Sequence, residues 1–119
     1  MQNQKSALGL DGNITALLGY IIWIVALILI FIEKDNKFVR FHAIQSVLFG
    51  AAFFVVFIGL WIITGILAYM SGMLAMLFSL IFFLIFIGVF AGVILLCFKA
   101  YKGEMFKLPI IGSMAEKWA

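Results

Sequence analysis

From Phe41 to Phe98 the chain runs 58 residues without an aspartate, glutamate, lysine or arginine. A helix that crosses a bilayer needs about 20 mostly apolar residues, so this run holds two crossings. Soluble domains are about half apolar and about a quarter charged; here 67% of residues are hydrophobic and 11% are charged. A soluble core of 119 residues has too little interior to hide that much apolar surface. The solvent that fits is lipid. In lipid every backbone amide needs an internal partner, which leaves helices or closed barrels. A barrel would alternate polar and apolar residues in segments of about ten, whereas Ser79 to Phe90 reads SLIFFLIFIGVF without a break. The sequence therefore predicts an all-α membrane bundle.

Three spans are expected in a single membrane domain. Residues 1–12 form a lead-in, and Asp11 or Asn13 supplies an N-cap for span one, residues 13–32. Charged residues follow that run instead of a small-x-small cleavage site, so it reads as a retained span and not a signal peptide. Residues 33–42 make an elbow with a new helix start capped by Asp35 or Asn36. Span two covers 43–69, a turn at 70–73 uses Ser71 and Gly72, and span three covers 74–98. The tail, 99–119, is too short to cross. Ile110, Ile111, Met114, Ala115 and Trp118 recur at helical spacing after Pro109, which suits a first helical position. That pattern predicts an amphipathic helix lying in the interface.

With three spans, elbow and tail share one side and carry Lys34, Lys37, Arg40, Lys99, Lys102, Lys107 and Lys117. The positive-inside rule places them in the cytoplasm and the N-terminus outside. Lys37, Lys99, Lys102, Lys107 and Trp118 are candidate contacts for lipid headgroups, anionic ones included. No basic patch lies on a polar surface, so nucleic acid is not an expected partner.

The chemistry-bearing residues gather where the elbow meets span two. Arg40, His42, Gln45 and Ser46 lie close in sequence, and at 100° per residue His42, Gln45 and Ser46 share one helix face with Phe38 and Phe49. Polar side chains in lipid turn toward protein partners. Two readings stand: His42 as proton acceptor or ligand, with Gln45 and Ser46 as hydrogen-bonding groups; or all three bonded to one another, to a neighbouring carbonyl or to Tyr20. A lone histidine without a paired carboxylate or cysteine is a poor metal or catalytic site. The single Cys97 forms no intrachain disulfide. No catalytic residue, metal or cofactor is expected. Gly88 and Gly92 form a G-x-x-x-G that lets helices approach closely, within the bundle or between copies.

The stretches LGLDGNITALLGY, FIEKDNKFVRFHAIQS and AYKGEMFKLPIIGSMAEK, in this order and spacing, resemble a family of small prokaryotic membrane proteins of unknown function. That family is grouped with the Tic-twenty-type chloroplast import component and with MamF-like magnetosome membrane proteins. The resemblance implies an integral helical membrane protein without known enzymatic activity. Its magnetosome side suggests self-association and its chloroplast side a translocation channel. The expected function is a non-enzymatic, self-associating scaffold or assembly component, partnered by lipid and by its own copies or another membrane protein. The alternative is a channel or translocation component.

Overall fold

A computed structural model describes residues 5–119; the first four residues of the expected lead-in lie outside the described residues. Five helices follow in order: α1 (Gly12–Ile21), α2 (Trp23–Ile32), α3 (Lys37–Met70), α4 (Gly72–Tyr101) and α5 (Ile111–Trp118). Among the described residues the fold is all-helical as expected, but only α3 and α4 are long and apolar enough to cross a membrane. Their 34 and 30 residues correspond to about 51 and 45 Å of helix. Ser71 is the break between them, as its neighbourhood predicts.

The expected first span is the main correction. Residues 13–32 do not form one helix. Ile22 adopts extended backbone (φ −118°, ψ 101°) and divides them into two helices of 10 residues each. Each is about 15 Å long, half of what a crossing requires. The two fold back on each other with Gly19 facing Ala26: a methyl placed there would lie 3.7 Å from the Ala26 Cβ, an ordinary packing distance. In an unbroken helix the Gly19 carbonyl would accept the Trp23 N–H. Here it accepts the Ser46 hydroxyl at 2.8 Å. A broken helix persists in an apolar setting where neighbouring side chains take up the freed backbone groups.

The chain forms two compact units, residues 1–50 with 93–119 and residues 51–92. The first holds the buried residues. Ala16, Tyr20, Ala26, Leu29, Phe38, Val39, Ala43, Leu96 and Ala100 make its main apolar cluster. Phe41, Ile44 and Ala115 make a smaller one. The second unit has no fully buried residue; Phe57 packs edge-on against Phe82 at 4.6 Å between ring centroids.

Caps define the ends inside the first unit. Asn36 Oδ1 accepts the Phe38 and Val39 N–H groups at 3.1 and 3.3 Å, so α3 starts at Lys37 and the elbow shortens to residues 33–36. Neither candidate cap of the first helix caps it. Asp11 gives its carboxylate to Lys5 at 2.9 Å, and the Asn13 amide donates to the Tyr101 carbonyl at the end of α4, 3.0 Å. Gly103, at φ 80°, completes that end. Its N–H bonds the Ala100 carbonyl and the Glu104 N–H bonds the Lys99 carbonyl, each at 3.0 Å, the Schellman arrangement. The tail helix starts later than Pro109 suggests. Ile110 sits at φ 67° in a tight turn closed by the Ile111 N–H on the Pro109 carbonyl, 2.7 Å. Such a turn strains a β-branched residue.

Candidate functional site

The polar face expected at the start of span two is present and buried. His42 and Gln45 are 0% exposed and Ser46 is 4%. Their positions follow from the Asn36 cap, which sets the rotational phase of α3, and from the alternation of polar and apolar residues over its first turns. Phe38 and Phe41 pack edge-on against the imidazole at 4.6 and 5.1 Å, and Tyr20 of α1 does so at 5.3 Å.

The hydrogen bonds form one directed chain. The His42 Nε2 lies 2.9 Å from the Glu104 carbonyl oxygen, which can only accept. Nε2 therefore carries the proton, and in the neutral ring Nδ1 accepts. Nδ1 takes its bond from the Tyr20 hydroxyl at 2.6 Å. The Tyr20 oxygen in turn accepts from the Gln45 amide nitrogen at 2.8 Å. The second Gln45 N–H goes to the Phe106 carbonyl at 2.9 Å, and Gln45 Oε1 accepts the Leu108 N–H at 2.9 Å. The Gln45 side chain thus bonds the extended segment after α4 as a neighbouring strand's peptide group would. Among the described residues no buried side-chain nitrogen or oxygen lacks a partner.

Ser46 and Gly50 hold the α1–α2 hairpin against α3. The Trp23 indole N–H donates to the Ser46 carbonyl at 3.2 Å. Its ring occupies the place where a side chain at Gly50 would stand. Arg40 closes the other end of the hairpin. Its Nη1 donates to the Ile30 and Glu33 carbonyls, at 3.1 and 2.5 Å, at the C-terminus of α2. Its Nη2 lies 3.5 Å from the Trp118 carbonyl at the end of α5. A cation at two helix C-termini also meets their negative dipole ends. Glu33, 3% exposed, accepts the Ala7 N–H at 2.7 Å. The residues before α1 therefore lie beside the elbow, in the same unit and at the same end.

The remaining candidates separate. Lys99 pairs with Glu104 at 2.9 Å, and that hydrogen bond, followed by the lysine charge, holds the Glu104 carboxyl below the usual range. Lys107 pairs with Glu116. Lys102 lies over the Phe98 ring at 4.8 Å. Lys37 and Trp118 are exposed. Of the predicted tail face, Ala115 is buried, while Met114, Trp118 and Ile110 are exposed at 38, 52 and 79%. A methyl at Gly88 or Gly92 meets nothing within 4 Å among the described residues, so neither glycine marks a close helix approach within them.

Sequence reasoning named Tyr20, Arg40, His42, Gln45 and Ser46, gave Asn13 a different role as a cap, and did not foresee what Trp23, Gly50 and Gly112 do. Gly112 is required because a Cβ there would lie 2.5 Å from the Lys107 Cβ. A tryptophan and a glycine in different apolar runs give no pairwise signal. The helix of span three runs to Tyr101, past the expected end at residue 98, and the Gly103 C-cap went uncalled although a glycine after the last basic turn of an apolar run is a signal for a helix end.

Comparison with known proteins matches these features to a family. A profile described as the magnetosome magnetite crystal formation protein family (MamF/MmsF) matches residues 5–115. A UPF0132 membrane protein of Methanocaldococcus jannaschii is 42% identical over 97% of this chain and 94% of its own. A second from the same organism is 36% identical over 94% of this chain and 73% of its own. One from Archaeoglobus fulgidus is 33% identical over 88% and 92%. No solved structure matches.

Proposed function

The chain belongs to the magnetosome magnetite crystal formation protein family, and on that premise we propose that it is a non-enzymatic membrane scaffold that self-associates through α4. One observation carries this reading. The Gly88–Gly92 face is unfilled by the chain's own side chains, and small residues at that spacing suit close approach of a second helix. The polar cluster supports the absence of catalysis, because its hydrogen-bonding capacity is spent on the protein itself. The elbow and tail face the cytoplasm, where their basic residues collect. The N-terminal residues, beside Glu33, share that side, which reverses the outside placement expected from three spans. There α5 lies in the interface as an amphipathic helix, and Lys37, Lys99, Lys102, Lys107 and Trp118 meet headgroups, anionic lipid included.

The test is subunit counting by photobleaching in bilayers and native mass spectrometry from mild detergent. Wild type is expected as an oligomer, and Gly88→Leu with Gly92→Leu as predominantly monomer. A monomeric wild type in both settings would sink the scaffold. The alternative, a channel of the Tic-twenty type, draws on resemblance; solute or peptide flux through reconstituted vesicles would favour it.

A further inference from the structure

The α1–α2 hairpin has the dimensions and polarity of a wedge for a single leaflet. Each arm is about 15 Å long, against a hydrocarbon core of about 30 Å. Its base is polar, with Asp11 and Lys5 before α1 and Glu33, Lys34 and Asp35 after α2. Its tip is apolar and uncovered: Ile21, Ile22, Trp23 and Ile24 are 61, 48, 42 and 65% exposed. Both ends of the hairpin emerge together, since the Ala7 N–H bonds the Glu33 carboxylate.

Its depth can be read along α3. Trp23 docks at Ser46 and Gly50, roughly 14–20 Å along the helix from Lys37. With Lys37 among the headgroups, that level is near the middle of a bilayer whose total thickness is about 40–45 Å. The hairpin is also fastened there: Ser46 bonds the carbonyl freed by the Ile22 break, and Arg40 caps the returning arm. The break is therefore held in place, and the hairpin stops at the midplane instead of crossing.

We propose that the α1–α2 hairpin inserts into the cytoplasmic leaflet alone and gives the protein a preference for membrane that is convex on that side. Two helices about 10–12 Å across add roughly 200 Å² of cross-section to that leaflet, and the hairpin adds nothing to the other. The occupant of its exposed tip is acyl chain, because an apolar tip on a charged base follows the polarity of one leaflet. Insertions confined to one leaflet, shallow amphipathic helices among them, are sensitive to lipid packing and curvature. The proposal rests on the two-span membrane reading and is independent of self-association.

The test has two parts, both in Cys97→Ala protein in phosphatidylcholine–phosphatidylglycerol vesicles. First, single-cysteine variants are labelled with an impermeant thiol reagent. Leu8→Cys, Lys34→Cys and Ser113→Cys should label from one face, Ser71→Cys from the other and Ile22→Cys from neither. Labelling of Leu8→Cys from the Ser71→Cys face would make α1–α2 a full crossing and overturn the proposal. Aqueous labelling of Ile22→Cys would place the tip outside lipid and also overturn it, as would shielding of Ile22→Cys that disappears on dilution to monomers. Second, protein density per lipid is compared between sonicated and large extruded vesicles, counting molecules whose hairpin face is outermost. A several-fold enrichment on small vesicles is expected. Ile24→Lys should abolish it while Ser71→Cys still labels from the far side. Equal densities would overturn the curvature preference, and photobleaching on the same vesicles reports self-association separately.

Discussion

The two units of this chain solve the same problem, an apolar helix pair, in opposite ways. Residues 1–50 with 93–119 are stitched by buried polar groups: Thr15, Glu33, Asn36, His42, Gln45 and Ser46 are all nearly inaccessible. In residues 51–92 the hydroxyls of Thr64 and Ser79 merely return to the carbonyls four residues earlier, Leu60 and Ala75. Apolar contact has no direction, and in lipid it offers little net drive toward one packing. Hydrogen bonds have direction, so register and helix order are specified where the polar residues sit. The second unit is left with an apolar, exposed surface.

Substitutions that set the two units against each other test this contrast. The largest effect should come from Gln45→Leu, which keeps volume but leaves the Phe106 carbonyl and Leu108 N–H without partners. A loss on the order of 3–5 kcal/mol is expected, read by denaturation in bicelles and by faster amide exchange at Leu108. Phe83→Leu, in the second unit and 60% exposed, should change stability by no more than about 0.5 kcal/mol. Equal losses would erase the distinction.

Arg40→Lys comes next, at about 1.5–3 kcal/mol, because an ammonium lacks the fork that reaches both α2 and α5. Proteolysis near Glu33 should speed up correspondingly; an unchanged cleavage rate would remove the cap from the account. A glycine pair sharpens the comparison further. Gly50→Ala pushes into the Trp23 indole and should cost about 1–3 kcal/mol with a shift in tryptophan emission. Gly59→Ala meets nothing within 4 Å and should gain about 0.5–1 kcal/mol from helix propensity.

The smallest effect concerns acid. The Glu104 carboxyl is depressed by Lys99, so the folded state binds that proton less readily than the unfolded chain. Its contribution is complete at neutral pH and is lost as pH falls below the ordinary glutamate range of about 4. Because the pair is exposed, the effect should be slight: Glu104→Gln should lose it at neutral pH, match wild type in acid, and so flatten the acid limb of a stability–pH curve. An acid limb as steep as that of wild type would contradict the assignment.

Much of this was legible from residue order. The uncharged run located α3 and α4, Ser71 and Gly72 marked their break, Asp35 or Asn36 announced the α3 start, and helical phase put His42, Gln45 and Ser46 on one inward face with Tyr20 among the partners offered. The break at Ile22 was not legible. No glycine or proline stands there, and an isoleucine in an apolar run favours continuing the helix. What stabilises the break is a serine 27 residues from the carbonyl it serves. The partners of Gln45 and Asn13 were hidden for a related reason. They are main-chain groups of distant residues, and a peptide bond looks the same at every position. The single-domain and membrane-side expectations rest on pattern alone.

The clasp made by His42 and Gln45 on Glu104, Phe106 and Leu108 also fixes an order of events. Its two halves are separated by 61 to 63 positions, and the second half leaves a ribosome only after α3 and α4 have been made. The early helices must therefore wait, inserted but unlatched, until residues 104–108 have emerged. A chain stalled after Gly103 should expose the Tyr20–His42 pocket to thiol or protease probes, and synthesis through Leu108 should close it. Emergence of that segment is thus the event that locks this protein, and a copy that stops short of it is marked by the open pocket it leaves.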